Sequence, residues 1–89
     1  MALQIINAGP APEETATRIR EAIAARMPEA TIEVLPRGPG HFELKVTDAS
    51  FEGLSRVKQQ QLVYGAITEL MAGANAPVHA IDRLECLVP

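Results

Sequence analysis

A chain of 89 residues is long enough for one domain around one modest core and too short for a second. Hydrophobic residues make up 47% of it and charged residues 21%, far from the composition of disordered chains, and a net charge of −3 disfavours partners held mainly through their phosphates. The lone cysteine, Cys86, rules out an internal disulfide, and no apolar run approaches the roughly 20 residues of a membrane helix, so a soluble, cytoplasmic protein that makes no use of membranes is expected.

Residues 1–11 mix Leu3, Ile5 and Ile6 with Gly9 and Pro10 and lack the basic-then-apolar pattern of a secretory signal; they read as a flexible leader to a single domain over residues 12–89. Pro12 suits a first helical turn, Glu13 and Glu14 favour its positive end, and Ala16, Ile19, Ile23 and Met27 recur at helical spacing, which predicts a helix from Pro12 to Met27. Pro28 stops it. Thr31 to Leu35 follows as a short strand with Ile32 and Val34 turned inward, and Pro36-Arg37-Gly38-Pro39-Gly40 is the strongest loop signal in the chain. His41 to Thr47 alternates cleanly, with Phe42, Leu44 and Val46 on one face and His41, Glu43, Lys45 and Thr47 on the other.

After a turn over Asp48 to Gly53, a helical region is predicted from Ser55, its cap, to Ala72, with Val63, Ala66, Ile67, Leu70 and Met71 as the buried stripe. Gly65 interrupts that helix, and close packing against the sheet is its expected compensation. Val78 to Val88 reads as the last strand, with Asp82 and Arg83 breaking the alternation at a bulge or an edge. The order gives an α+β sandwich with helices on one face of a three-stranded mixed sheet. The first two strands form an antiparallel pair and a right-handed helical crossover returns the third parallel to the second. Phe42, Leu44, Val46, Ile19, Ile23, Val63, Ile67 and Leu70 are expected to share the core.

Parallel neighbours start at the same edge of a sheet, so this topology brings His41 and His79 to one end, beside the Gly-rich loop. Histidine is a common metal ligand, and an exposed pair could bind iron, zinc or the edge of a cluster. Two ligands do not close a site, and Cys86 lies towards the far end of the last strand, so a metal would need a second chain. The plainer alternatives are a His41 hydrogen-bonded to the loop and a His79 capping carbonyls of the preceding turn. No nucleophile–base pattern, dinucleotide fingerprint or phosphate loop is present, which leaves an enzymatic role without support. Arg56 and Lys58 form a local basic cluster, and three aromatics, Phe42, Phe51 and Tyr64, are too few for a base-stacking platform.

The run Phe51-Glu52-Gly53-Leu54-Ser55-Arg56-Val57-Lys58-Gln59-Gln60-Gln61-Leu62-Val63-Tyr64-Gly65 resembles the helical signature of the BolA family, and Val78-His79-Ala80 resembles its C-terminal histidine motif. With His41-Phe42 opening a strand, the resemblance covers about Glu13 to Cys86. The Arg-Val-Lys-x-Gln-Gln pattern is similar to the IbaG branch, with Gln60 where typical members carry a histidine. The resemblance implies a small class II KH-like fold, of order α-β-β-α-α-β and without a Gly-x-x-Gly loop. It also implies a non-enzymatic accessory role in iron–sulfur cluster assembly, trafficking or iron homeostasis. The partner it implies is a monothiol glutaredoxin, joined to this chain as a heterodimer around a bridging 2Fe–2S cluster, with glutathione supplied by the partner and no cofactor on the isolated chain. A homodimer is the other assembly considered. His79 would be the BolA-side ligand; the family's second ligand lies in the loop before the second strand, and Pro36 to Gly40 holds neither cysteine nor histidine, which leaves His41 as the substitute. The alternative function is a KH-like nucleic-acid-binding regulator that uses Arg56 and Lys58 at the start of its recognition helix.

Overall fold

The computed structural model describes residues 11–89, so the expected leader, including Leu3, Ile5 and Ile6, lies outside the described residues except for Ala11. Helix α1 runs Pro12–Arg26 with proline in its first turn, Glu13 and Glu14 at its positive end and Arg26 at its negative one. Its buried face, Thr15, Ala16, Ile19 and Ile23, continues into Met27, whose N–H closes the last turn on the Ile23 carbonyl at 2.8 Å before Pro28 ends it.

Strand β1 spans Thr31–Gly38 and pairs antiparallel with β2, His41–Thr47; β2 in turn pairs parallel with β3, Ala80–Leu87, giving the order β1-β2-β3. Phe42, Leu44 and Val46 of β2 and Val34 of β1 are buried, and with Ile19, Ile23, Val63, Ile67 and Leu70 they form one core, as the periodicities predict. Each large apolar side chain buried in it stabilises the fold by about 1.5–3 kcal/mol. Phe51, Val78, Ala16 and Met27 complete the cluster, on the face of the sheet that the helices cover.

Three boundaries depart from the sequence reading. Strand β1 continues through Pro36, Arg37 and Gly38, and the reversal shrinks to Pro39-Gly40. An edge strand tolerates proline because the missing N–H faces away from the sheet, and the register shift between Pro36 and Gly38 absorbs Arg37.

The helical region over Ser55–Ala72 is two pieces. Helix α2 covers Arg56–Ala66, capped by Ser55, whose hydroxyl accepts the Lys58 N–H at 3.2 Å. A 3-10 turn follows over Thr68–Met71. The break comes where Ile67 N–H bonds Tyr64 rather than Val63 and the Thr68 hydroxyl caps the Tyr64 carbonyl at 3.0 Å; the tightened turn keeps Ile67 and Leu70 in the core. Gly65 does not pack on the sheet: a Cβ there would meet only the guanidinium end of Arg26, 4.0 Å away on α1.

Finally, β3 begins at Ala80 rather than Val78, because Val78 is buried ahead of the strand with its N–H on the Leu70 carbonyl at 3.1 Å. The irregularity expected at Asp82 and Arg83 is a bulge: Phe42 faces Ile81 and Glu43 faces Arg83, so Asp82 is the extra residue.

Candidate functional site

The site is built where β2 starts. Gly40 has φ of 76°, a left-handed conformation that glycine adopts without strain, and it reverses the chain directly into His41. Its carbonyl accepts two hydrogen bonds from the chain entering β3, from His79 N–H at 2.8 Å and Ala80 N–H at 3.1 Å. That bifurcated contact fixes the start of β3 against the start of β2. His41 therefore stands in register with Ala80, and the two histidines share one end of the sheet, as the parallel topology requires.

The glycine has a second role. A Cβ at position 40 would lie 2.7 Å from His79 Cγ and 2.8 Å from Nδ1, too close for any side chain to coexist with the ring. The Cγ–Nδ1 edge of the imidazole occupies the space that a side chain at 40 would fill, and its Nε2 is on the opposite edge. His79 is exposed, and among the described residues its ring makes no hydrogen bond; its tie to the loop runs through the backbone. An open groove of about 760 Å³ begins beside it, with Thr15, Phe42, Ala76 and Pro77 among its walls.

His41 does not bond the loop. Its Nδ1 lies 3.0 Å from Asp82 Oδ1, with the two side chains 46% and 42% exposed. On the same open face of the sheet Arg37 and Glu43 form an ion pair at 3.1 Å. Chemically, this end of the molecule offers two imidazoles held by backbone and carboxylate contacts. Among the described residues no three histidine, cysteine or acidic side chains come together to enclose a metal ion.

Cys86 is excluded from the pair by register: it stands opposite Val46, towards the other end of β2. It is a half-buried free thiol whose pKa burial pushes above the usual thiol value, so it stays protonated and a poor nucleophile near neutral pH.

The two cations singled out in the sequence are not equivalent. Both Arg56 and Lys58 are exposed in the first turn of α2, but Arg56 lines a separate groove of about 360 Å³ with Gln60, Arg83 and Cys86, and Lys58 does not. Sequence reasoning missed that Arg83 lines the same groove as Arg56. It also missed Gly40 and Asp82; the positive φ of Gly40 was signalled by its Pro-Gly context, and Asp82 by the broken alternation of the last strand.

Comparison with known proteins gives a consistent result. The family model described as BolA-like protein matches residues 19–87. BolA-like protein 1 of Homo sapiens is 33% identical over 78 residues, covering 82% of this chain and 55% of that protein, so the chain spans about half the length of such curated relatives. The solution structure of BolA1 from Mus musculus superposes with a TM-score of 0.74 at 27% identity, covering 98% of this chain and 76% of that one. BolA1 from Arabidopsis thaliana gives a TM-score of 0.64 at 28% identity, covering 83% and 90%. Among the described residues no helix is long and apolar enough to cross a membrane.

Proposed function

The chain belongs to the BolA-like protein family, and from that premise we propose that it is an accessory of iron–sulfur cluster handling, working in cluster assembly, trafficking or iron homeostasis and catalysing no reaction of its own. In this reading it pairs with a monothiol glutaredoxin around a shared 2Fe–2S cluster. The cluster is cargo held jointly: His79, with His41 as the second donor, serves this chain's side, while thiolates of the partner and of glutathione serve the other.

The observation that carries the reading is the arrangement of the two imidazoles at the start of β2, with His79 seated on Gly40. Imidazole nitrogen is a suitable donor to iron, and a 2Fe–2S centre takes four protein-type ligands, in some cases two of them histidine. Two donors on this chain match half of such a set. The thiol that could have added a third stands opposite Val46, away from the pair, so the remaining ligands are assigned to a partner. An exposed His79 and a His41 side chain 46% exposed suit that geometry, since a ligand to a bridging centre must be reachable from another chain. Nucleic-acid binding through Arg56 and Lys58 has weaker support in a chain of net charge −3.

The test is to combine this chain with a monothiol glutaredoxin and glutathione under anaerobic conditions and to follow association, visible absorption and circular dichroism. The proposal predicts a coloured heterodimer whose spectrum differs from that of the cluster-bridged glutaredoxin homodimer. A colourless mixture of non-associating chains would remove it.

A further inference from the structure

We propose that Asp82 is a positioning residue that holds His41 in its Nδ1–H tautomer and leaves Nε2 as the outward, metal-accepting nitrogen. The inference rests on the reading of His41 and His79 as a ligand pair, and it adds a residue that the pair alone does not require.

The argument starts with the hydrogen bond. An ionised carboxylate only accepts, so the 3.0 Å contact between Asp82 Oδ1 and His41 Nδ1 requires the proton on Nδ1. In the neutral ring the lone pair is then on Nε2. The contact depends on the bulge: Asp82 is the one residue of β3 without a counterpart on β2, inserted between the Phe42–Ile81 and Glu43–Arg83 pairs. Bulges re-aim side chains, and this one directs a carboxylate at the imidazole that opens β2.

Stability gives little reason for the arrangement. Both side chains are more than 40% exposed, and an exposed pair of this kind contributes little against solvent screening and lost side-chain freedom. Orientation gives a better one. An imidazole that donates one ring N–H to a carboxylate and offers the other nitrogen outward is the usual arrangement behind a metal-bound histidine, where the carboxylate fixes the tautomer and raises ligand basicity. His79 has no such carboxylate partner among the described residues; the Cγ–Nδ1 edge of its ring fills the space that a side chain at position 40 would take. Both imidazoles thus stand at the same end of the sheet, one bonded to a carboxylate and the other packed against a glycine.

The test uses the full chain labelled with 15N. Long-range proton–nitrogen correlation spectra, recorded at a pH where the imidazoles are neutral, report directly which ring nitrogen carries the proton. The wild type is expected to show His41 as the Nδ1–H tautomer; Asp82→Ala should lose that bias, and Asp82→Asn, which keeps a carbonyl acceptor, should retain it. Titration with Zn²⁺ alone, read on the same ring nitrogens, should show Asp82→Ala weakening binding at least about tenfold, in the range found for residues behind metal ligands. A tautomer unchanged in Asp82→Ala overturns the role of Asp82, and the ligand-pair reading survives if His41→Ala and His79→Ala each weaken Zn²⁺ binding. If the tautomer responds but neither histidine affects Zn²⁺, the ligand-pair reading fails, and the inference falls with it because Asp82 is then only a surface contact.

Discussion

Where β2 ends, Thr47 runs into Asp48, a carboxylate only 7% exposed whose Oδ2 accepts from both the Ser50 N–H, at 3.0 Å, and the Ser50 hydroxyl. The backbone N–H of Asp48 bonds the Leu87 carbonyl at 2.9 Å, and Phe51 is buried in the core a turn later. Where β2 begins, the polar groups are His41, His79 and Asp82, all partly or largely exposed, and Nε2 of neither ring is engaged by another described residue. One strand therefore has a closed end and an open one. A buried carboxylate must have its hydrogen bonds satisfied within the protein, so the closed end is polar in the service of stability. An exposed imidazole has no such requirement, and its nitrogen is free for something outside the chain.

The comparison breaks most visibly if the two ends respond alike to substitution. Asp48→Ala should cost about 2–3 kcal/mol, the combined loss of a cap and of hydrogen bonds to a charged acceptor, read as a lower midpoint in urea unfolding. A change below about 0.5 kcal/mol would mean that the closed end is not closed by Asp48. Gly40→Ala should cost about 1–2 kcal/mol, because alanine is strained at positive φ and its Cβ collides with the His79 ring. Here a second readout matters: the His79 ring resonances should move more than those of His41, and a ring that stays where it is would contradict the glycine seat.

Much of the open end is legible in the sequence. The single crossover between β2 and β3 makes them parallel, and parallel strands bring His41 and His79 to one end without knowledge of a single side-chain contact. The bulge was visible as broken alternation at Asp82 and Arg83. What it does was not, since a one-residue change of register decides whether Asp82 meets His41, and no local pattern encodes that. Gly40 was hidden for a different reason: Pro36 to Gly40 reads as loop from composition alone, and the need for a missing Cβ comes from a residue 39 positions later. At the closed end, Ser55 was legible as a cap because capping is local, whereas the break after Ala66 depends on Thr68 competing for carbonyls of the preceding turn.

Gly65 lies at neither end and serves as a control. With only the guanidinium end of Arg26 near it, Gly65→Ala should stabilise α2 by up to about 1 kcal/mol and leave both histidines unmoved; destabilisation would mean a close approach that the packing does not contain. The smallest expected effect is chemical. Burial raises the pKa of Cys86, so its alkylation at neutral pH should be slower than that of a free thiol and should accelerate only above the ordinary thiol range. Modification at the rate of a free thiol would show that this part of β3 is more open than the contrast allows.

The central claim is that the open end is a ligand site rather than a structural one, and His79→Ala tests it most directly. Paired with a monothiol glutaredoxin under anaerobic conditions, the variant should remain folded, with stability changed by less than about 1 kcal/mol because the ring is exposed. It should still associate through the rest of the interface, but its visible circular dichroism should shift towards that of the glutaredoxin homodimer and its cluster should become labile. His41→Ala should produce the weaker version of the same change. A heterodimer whose spectrum and cluster lifetime are untouched by either substitution would contradict the account, and would make the two histidines structural.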